Sequence, residues 1–295
     1  MMRATPGISV AISTMHRPDA LARCLDAIWC GSVRPREIIV VDQSRDDATH
    51  AVVRDRCAAG MPILYQHTSA IGLGASQNQA VALSSAEVVA VTDDDCVVHP
   101  RWLEVIANAF ATSPDLDLVA GRVLPLAAAG DRTWPVSSRT STRRVEFHGY
   151  SAPWNVGSGN NFAVRRAAFR RSGGCDERLG PGSPAHGGVD IDLFFRMLRA
   201  GGRARYEPDA VVCHERQTLQ GRRQRRPMYG YGTGACIAFR LRDGDAYAVR
   251  MLMDWTMLRC RLLARATLTG DRQAASEELV MLRATAQGLW HGFTV

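Results

Sequence analysis

Through the first hundred residues, short apolar runs closed by polar breaks alternate with stretches of helical periodicity. Residues 7–13 (GISVAIS) end at Thr14-Met15-His16-Arg17-Pro18-Asp19, and residues 37–41 (EIIVV) end at Asp42-Gln43-Ser44. A shorter run covers 63–65, and residues 88–92 lead into Asp93-Asp94-Asp95. Runs of this length with polar flanks read as buried strands. Between them Leu21, Leu25 and Ile28 recur at helical spacing behind Pro18, a residue suited to the first helical position. Asp47 opens a second helix, and Gly72 to Asn78 is a glycine-containing turn that runs into a third. This alternation predicts an α/β fold of Rossmann-like type, with a mostly parallel central sheet flanked by helices. The C-terminal ends of parallel strands share one edge, where such sheets bind ligands. The clusters Thr14/Arg17, Asp42/Gln43 and Asp93–Asp95 are therefore expected to converge.

Further along, residues 102–110 read as a helix and 118–123 as a strand. Residues 125–155 have little periodicity and read as a long loop of the kind that serves as a lid. Gly157 to Arg165 is a glycine-rich approach to a strand, followed by a short helix over 166–171. A second loop, 180–188, precedes a helix on which Ile191, Phe194, Phe195 and Leu198 share a face, and Gly201-Gly202 ends it. Two short strands, 204–206 and 210–213, flank Glu207-Pro208-Asp209, and His214 follows them. From residue 217 the composition shifts to a basic run at 221–226 and then to helical sequence. Val249, Leu252, Met253, Met257 and Leu258 form a stripe there among Arg250, Arg259, Arg261 and Arg265, and a last helix covers 273–287. This C-terminal helical extension reads either as a subdomain packed on the core or as a basic amphipathic surface resting on anionic lipid.

Length and composition narrow the picture. The chain has 295 residues, enough for one large domain or two modest ones, with ordinary globular proportions of 46% apolar and 22% charged residues. No apolar run approaches the roughly 20 residues that span a membrane, and no basic segment followed by an apolar core stands at the N-terminus, so no signal peptide is expected. Eight scattered cysteines without a C-x-x-C pair argue against a zinc knuckle or disulfide scaffold and fit a reducing cytoplasm. The net charge of +7 is carried by arginine alone. The planar guanidinium fork suits phosphate, although charge by itself fits nucleic acid, membrane and acidic substrates equally. No nucleic-acid recognition motif accompanies it, so no nucleic-acid partner is expected. The dinucleotide fingerprint G-x-G-x-x-G is missing after the first strand, and a chain without lysine has no Walker A motif.

Three adjacent carboxylates repel one another and need a cation or several donors. A divalent metal carrying a phosphorylated substrate supplies that cation; a solvated acidic turn or a helix cap is the other reading. Asp190 stands at a helix start just past a glycine-rich loop, where capping alone accounts for it, and the helix dipole accounts for Asp192.

Seven pieces in order then carry a resemblance: Ser9-Val10-Ala11-Ile12 with Arg17-Pro18; Ile39-Val40-Val41-Asp42-x-Ser44; Gly72 to Asn78; Asp93-x-Asp95; Gly159-Asn160-Asn161 to Arg165; Gly174-Cys175-Asp176-Glu177; and Val189-Asp190-x-Asp192-Leu193. Over roughly residues 7–215 the chain resembles the family 2 inverting glycosyltransferases of the GT-A fold. The resemblance implies a nucleotide-sugar-binding half in residues 1–100, an acceptor-binding and catalytic half of the same domain in 101–220, and an extension over 221–295. It implies that Asp93 and Asp95 hold Mn²⁺ or Mg²⁺ on the diphosphate of a nucleotide sugar, with Asp95 as direct ligand and Asp94 reaching the ribose. Thr14, Arg17, Asp42 and Gln43 would hold base and ribose, Gln43 standing where many relatives carry Asp or Asn. Gly72, Gln77, Asn78, Asn160 and Asp192 would complete the substrate contacts, Gln77 standing where some relatives place an arginine. Asp190 would be the general base, although the Glu that precedes it in the family is Val189 here. His214 matches the spacing of a metal ligand in some relatives and is also explained as a strand-end histidine.

The implied activity is metal-dependent, inverting transfer to a hydroxyl of a glycan, a lipid-linked or a small-molecule acceptor, in cell-surface polysaccharide, glycolipid or glycosylated-metabolite synthesis. The implied place is the cytoplasm, or the inner face of the membrane through the basic C-terminal region. The missing Glu keeps a non-catalytic sugar-nucleotide- or glycan-binding protein as an alternative. A nucleotidyltransferase, the other alternative, wants a glycine-rich basic loop after the first strand, and Thr14 to Asp19 has no glycine.

Overall fold

In the computed structural model, residues 7–126 and 133–295 are described. Part of the loop expected over 125–155, namely 127–132, lies outside the described residues. The first half alternates as expected: β1 (Ile8–Thr14), α1 (Pro18–Trp29), β2 (Glu37–Asp42), α2 (Ala48–Ala58), β3 (Ile63–His67), α3 (Leu73–Leu83) and β4 (Val88–Asp93). Next come β5 (Cys96–Val98), α4 (Trp102–Thr112), β6 (Leu118–Pro125), β7 (Val145–Phe147), α5 (Pro153–Val156), β8 (Asn161–Arg165), α6 (Arg166–Arg171), α7 (Val189–Arg199) and β9 (Ala204–His214). Three long helices close the chain: α8 (Leu219–Arg242), α9 (Tyr247–Leu268) and α10 (Arg272–Thr294).

All nine strands form one sheet in the order β3-β2-β1-β4-β8-β6-β9-β5, with β7 also on β9. The β3-β2-β1-β4 half is parallel, as its helical crossovers require, and β8 joins β4 antiparallel, so the second half is mixed. Alternation along β1 divides the interior. Ile8, Val10 and Ile12 pack with Leu21, Leu25 and Trp102 on one face; Ala11 lies on the other with Ile39, Phe162, Phe194 and residues of α7 and α8. Both faces are covered, which is why the central strands read as continuous apolar runs.

The two short strands expected around Glu207-Pro208-Asp209 are one strand with a bulge. In the β6–β9 ladder Gly121 pairs Glu207 while Arg122 pairs Val211, so 208–210 arch out of register. Asn161 closes the gap: its Nδ2 donates to the Arg122 and Ala210 carbonyls at 2.9 and 2.8 Å, and Trp102 Nε1 donates to its Oδ1 at 2.8 Å. Past the bulge β9 runs on to pair β5, setting His214 opposite Cys96.

The basic run at 221–226 is part of α8 rather than a link before a helix. Gly234 and Gly288 sit where α8 and α10 cross, and a Cβ on either would collide with the Thr285 or Tyr231 carbonyl. Of the expected stripe, Val249, Met253 and Met257 face outward and Leu252 packs on the core; α9 buries Ala248, Met251, Trp255 and Arg259.

Replacing Asn161 with Leu keeps the volume and strips three buried groups of their partner. Since each orphaned group costs about 1–3 kcal/mol, Asn161→Leu should lower stability in urea denaturation by at least about 2 kcal/mol. An unchanged midpoint would show that the bulge does not depend on it.

Candidate active site

Register brings the polar clusters together. Thr14 pairs Asp42 across β1 and β2, and Ser13 pairs Asp93 across β1 and β4. Thr14 Oγ1 donates to Asp94 Oδ2 at 2.7 Å. The Arg17 guanidinium donates to Asp94 Oδ1 at 3.1 Å and to Asp95 Oδ2 at 2.8 Å. Burial pushes the Asp93 carboxyl well above the carboxylate range, with the Asp95 and Asp94 charges adding to it. Burial also raises Asp94, and Arg17 and the Thr14 hydroxyl pull it partly back.

The second oxygen of Asp95 is different. Oδ1 is buried without a hydrogen-bond partner and faces His214 Nε2 at 3.4 Å. His214 Nδ1 lies 2.7 Å from the Glu215 carbonyl oxygen, which only accepts, so Nδ1 carries a proton and Nε2 is the ring atom turned to Asp95. With Nε2 deprotonated, as metal ligation requires, the two face each other as acceptors with room for a cation between them. Their spacing is that of two ligands about 2.1 Å from one ion. Asp95, Cys96 and His214 offer ligand atoms within 4.8 Å of one another; Asp93, expected beside Asp95, stands outside this cluster. Cys96 is packed in the core, and its thiol is pushed well up by burial and then by the Asp93 and Asp95 charges. Asp95 and His214 therefore fit a divalent metal.

Asp190 enters from the far half of the chain, on the first turn of α7. Its Oδ2 accepts from the Gly159 N–H at 2.8 Å. Burial raises its pKa, against the lowering effect of the Ile191 and Gly159 N–H groups and of Arg139. Asp190 is close enough to the triplet to be one of the charges that raise Asp93, after burial and the two neighbouring carboxylates. Beside Asp95 and His214 opens a cleft of about 480 Å³ lined by Arg17, Arg23, Arg216 and Arg225, among others. Asn160 is buried with neither amide atom partnered, a side chain ready for a polar ligand group.

Other expected contacts have partners within the protein. Asp42 accepts from the Ser44 N–H and the Tyr65 hydroxyl, both at 2.8 Å. Gln43 donates to the Ala70 and Gly72 carbonyls at 2.7 and 3.1 Å, holding the turn before α3. Gln77 accepts from the Cys175 thiol, and Asn78 bonds the Cys175 backbone and Glu177, so both tie α3 to the 174–177 turn. Asp192 is fully buried in an ion-pair network with Arg196 and Arg240. Arg139, Arg216 and Arg225 were not singled out from the sequence. Arg139 lies in the aperiodic loop, and charge alone gave the other two no address.

The sequence model of glycosyl transferase family 2 matches residues 9–173, more than half of the chain. The chain belongs to that family. The chain is 29% identical to the pre-mycofactocin glycosyltransferase of Mycobacterium tuberculosis over 96% of its own length, and spans 62% of the length of that relative. It is 23% identical to the glucosyl-dolichyl phosphate glucuronosyltransferase of Haloferax volcanii, over 70% of this chain and 69% of that protein. Among solved structures it is similar to the mannosyltransferase PcManGT from Pyrobaculum calidifontis, determined with GDP-Man and Mn²⁺. That match has a TM-score of 0.68 and 18% identity, over 98% of this chain and 88% of the other. GalNAc-T7, determined with UDP, GalNAc and Mn²⁺, gives a TM-score of 0.58 at 16% identity, over 74% and 45%. The fold is GT-A, with added C-terminal helices.

A carboxyl held above its ordinary pKa favours the folded metal-free chain at acid pH and loses that contribution as pH rises through the raised value. A divalent cation on Asp95 and His214 favours the charged forms of the neighbouring Asp93 and Asp94 and so releases their protons. The rise in Tm on adding Mn²⁺ should therefore be larger at alkaline than at mildly acid pH, and Asp95→Asn should abolish it. A shift that survives in Asp95→Asn would place the metal elsewhere.

Proposed function

We propose that this family 2 member is a metal-dependent inverting glycosyltransferase whose donor is a nucleotide-diphosphate sugar. The observation that carries the reading is the meeting of two separate groups at one sheet edge. Asp95 presents an unpartnered buried oxygen to His214 Nε2, and Asp190, from α7, lies within electrostatic reach of the same triplet. Thr14 and Arg17 at the end of β1 form the side on which base and ribose rest, and Asp42 and Gln43, each bonded within the protein, hold the end of β2 and the turn before α3 beside them. Arg17, Arg216 and Arg225 face the cleft where a diphosphate leaves, and guanidinium suits its oxyanions.

In the reaction, the acceptor hydroxyl oxygen attacks the anomeric carbon. The bond from that carbon to the diphosphate oxygen breaks on the opposite side, and the hydroxyl proton passes to Asp190. A divalent metal on Asp95 and His214 would supply Lewis-acid stabilisation of the departing diphosphate. The raised pKa of Asp190 makes it a stronger base than an exposed carboxylate. The Gly159 N–H fixes one of its oxygens, and the Asn160 amide stands next to it for a hydroxyl of donor or acceptor. Loop 180–188 is pinned to the start of α3, where the Leu73 N–H donates to the Pro181 carbonyl at 2.9 Å.

The acceptor is a glycan, a lipid-linked molecule or a small molecule. A lipid-linked acceptor is favoured by the C-terminal helices. Residues 221–295 hold twelve arginines against six carboxylates, six of the seven net charges of the chain. Outward-facing Met253, Leu268 and Trp290, at 60%, 88% and 74% exposure, stand on α9 and α10. No helix among the described residues is long and apolar enough to cross a membrane, so the contact is peripheral, through basic and apolar side chains together.

Asp190→Asn should reduce transfer by at least about 10²-fold, the lower end for losing a general base, while donor binding stays intact; retained transfer would remove Asp190 as base. In the wild type the acid limb of kcat should lie above the ordinary carboxylate range, activity falling as pH drops through the raised pKa. The protein should also sediment with phosphatidylglycerol vesicles, and not with phosphatidylcholine vesicles, with added salt releasing it. Equal sedimentation with both would refute the basic surface as anchor.

A further inference from the structure

The first turn of α7 carries Asp190, and α8 grips that turn on both sides of it. On the N-terminal side, Gly188 (φ +84°) lies so close to α8 that a Cβ would come within 2.7 Å of the Gly232 carbonyl oxygen. On the C-terminal side, the buried Asp192 divides its oxygens between two helices. Oδ2 accepts from Nε and Nη2 of Arg196 at 2.8 and 2.5 Å, while Oδ1 accepts from the Cys236 thiol of α8 at 3.7 Å and lies 3.2 Å from Arg240 Nε as an ion pair without hydrogen-bond geometry. Arg240 reaches on to Asp176 Oδ2 at 2.7 Å, and Arg196 to the Gly174 carbonyl at 2.6 Å. The same 174–177 turn is tied to α3 by Asn78. One network thus joins the helix that bears Asp190, the C-terminal helices and the donor side of the domain.

Charges buried together lose their hydration, and apolar packing of equal volume stabilises a fold as well or better. What a divided ion pair supplies is direction: it fixes distance and angle where apolar surfaces can slide. We propose that Arg240 and Gly232 are positioning residues that hold Asp190 at its working distance, so that α8 belongs to the catalytic apparatus. The inference rests on Asp190 being the base.

Two substitutions test it. Arg240→Met removes the charge, and Arg240→Lys keeps one charge that cannot span Asp192 and Asp176 together. Each is assayed well below its own Tm. Arg240→Met should lower kcat on the order of 10²-fold, the effect of displacing a catalytic group by about 1 Å, with donor affinity unchanged. Arg240→Lys should fall between it and the wild type. In both, amide hydrogen exchange at 189–192 should quicken while β1 and β4 keep their protection. A merely structural role would lower Tm and leave kcat and the local exchange alone, and that result overturns the proposal. If Arg240→Met does not fold, Arg240→Lys decides by the same readouts. Exchange does not depend on the chemistry. Quickened exchange beside an Asp190→Asn variant that still transfers would therefore refute the base, whereas unchanged exchange beside an inactive Asp190→Asn would refute the brace.

Discussion

Three carboxylates in a row at the end of a buried strand are the constraint on which the rest of the site depends. Asp93, Asp94 and Asp95 cannot all keep their charge out of water unless other groups come to them. Arg17 from the start of α1, Thr14 from β1 and His214 from the end of β9 do so. These groups account for Asp94 and one oxygen of Asp95. The remaining oxygen is left without a hydrogen-bond partner, facing His214 Nε2, and that deficit defines where a cation belongs. The same deficit explains why the β9 bulge matters, because without it the register would not deliver His214 opposite Cys96.

A second constraint shapes the C-terminal third. The glycines of α8 leave no side chain between it and either α10 or the loop before α7, so the helices meet backbone to backbone. Close approach by small residues fixes position more tightly than large side chains do, since little can rearrange in between. The helical extension is therefore continuous with the half of the domain that carries Asp190, and its side chains Arg240 and Arg225 serve the network and the cleft. The apolar residues that remain outside, on α9 and α10, are free to meet another phase.

The first hundred residues were legible because a parallel sheet with both faces covered writes itself as apolar runs, and because the strand ends of such a sheet share an edge. The convergence of Thr14, Arg17, Asp94 and Asp95 at one edge was legible this way. Asp192 and Asn78 were assigned to substrate from their places in motifs, and the structure gives both of them internal partners. The motif marks a residue as required without saying what it touches. Of the stripe Val249, Leu252, Met253, Met257 and Leu258, Leu252 packs on the core while Val249, Met253 and Met257 point outward. Periodicity identifies a face but not the partner that covers it.

Local pattern determined the element types, the parallel half of the sheet and the edge at which the acidic triplet lies, since periods of two and 3.6 and the repulsion of adjacent charges are properties of neighbouring residues. Only the tertiary structure decided which oxygen of Asp95 stays unpartnered, that His214 is the group facing it, and that α8 holds the turn bearing Asp190. Those are contacts between residues separated by tens to more than a hundred positions. Their geometry is set by a bulge, a helix crossing and a divided ion pair, none of which leaves a periodic trace in the chain.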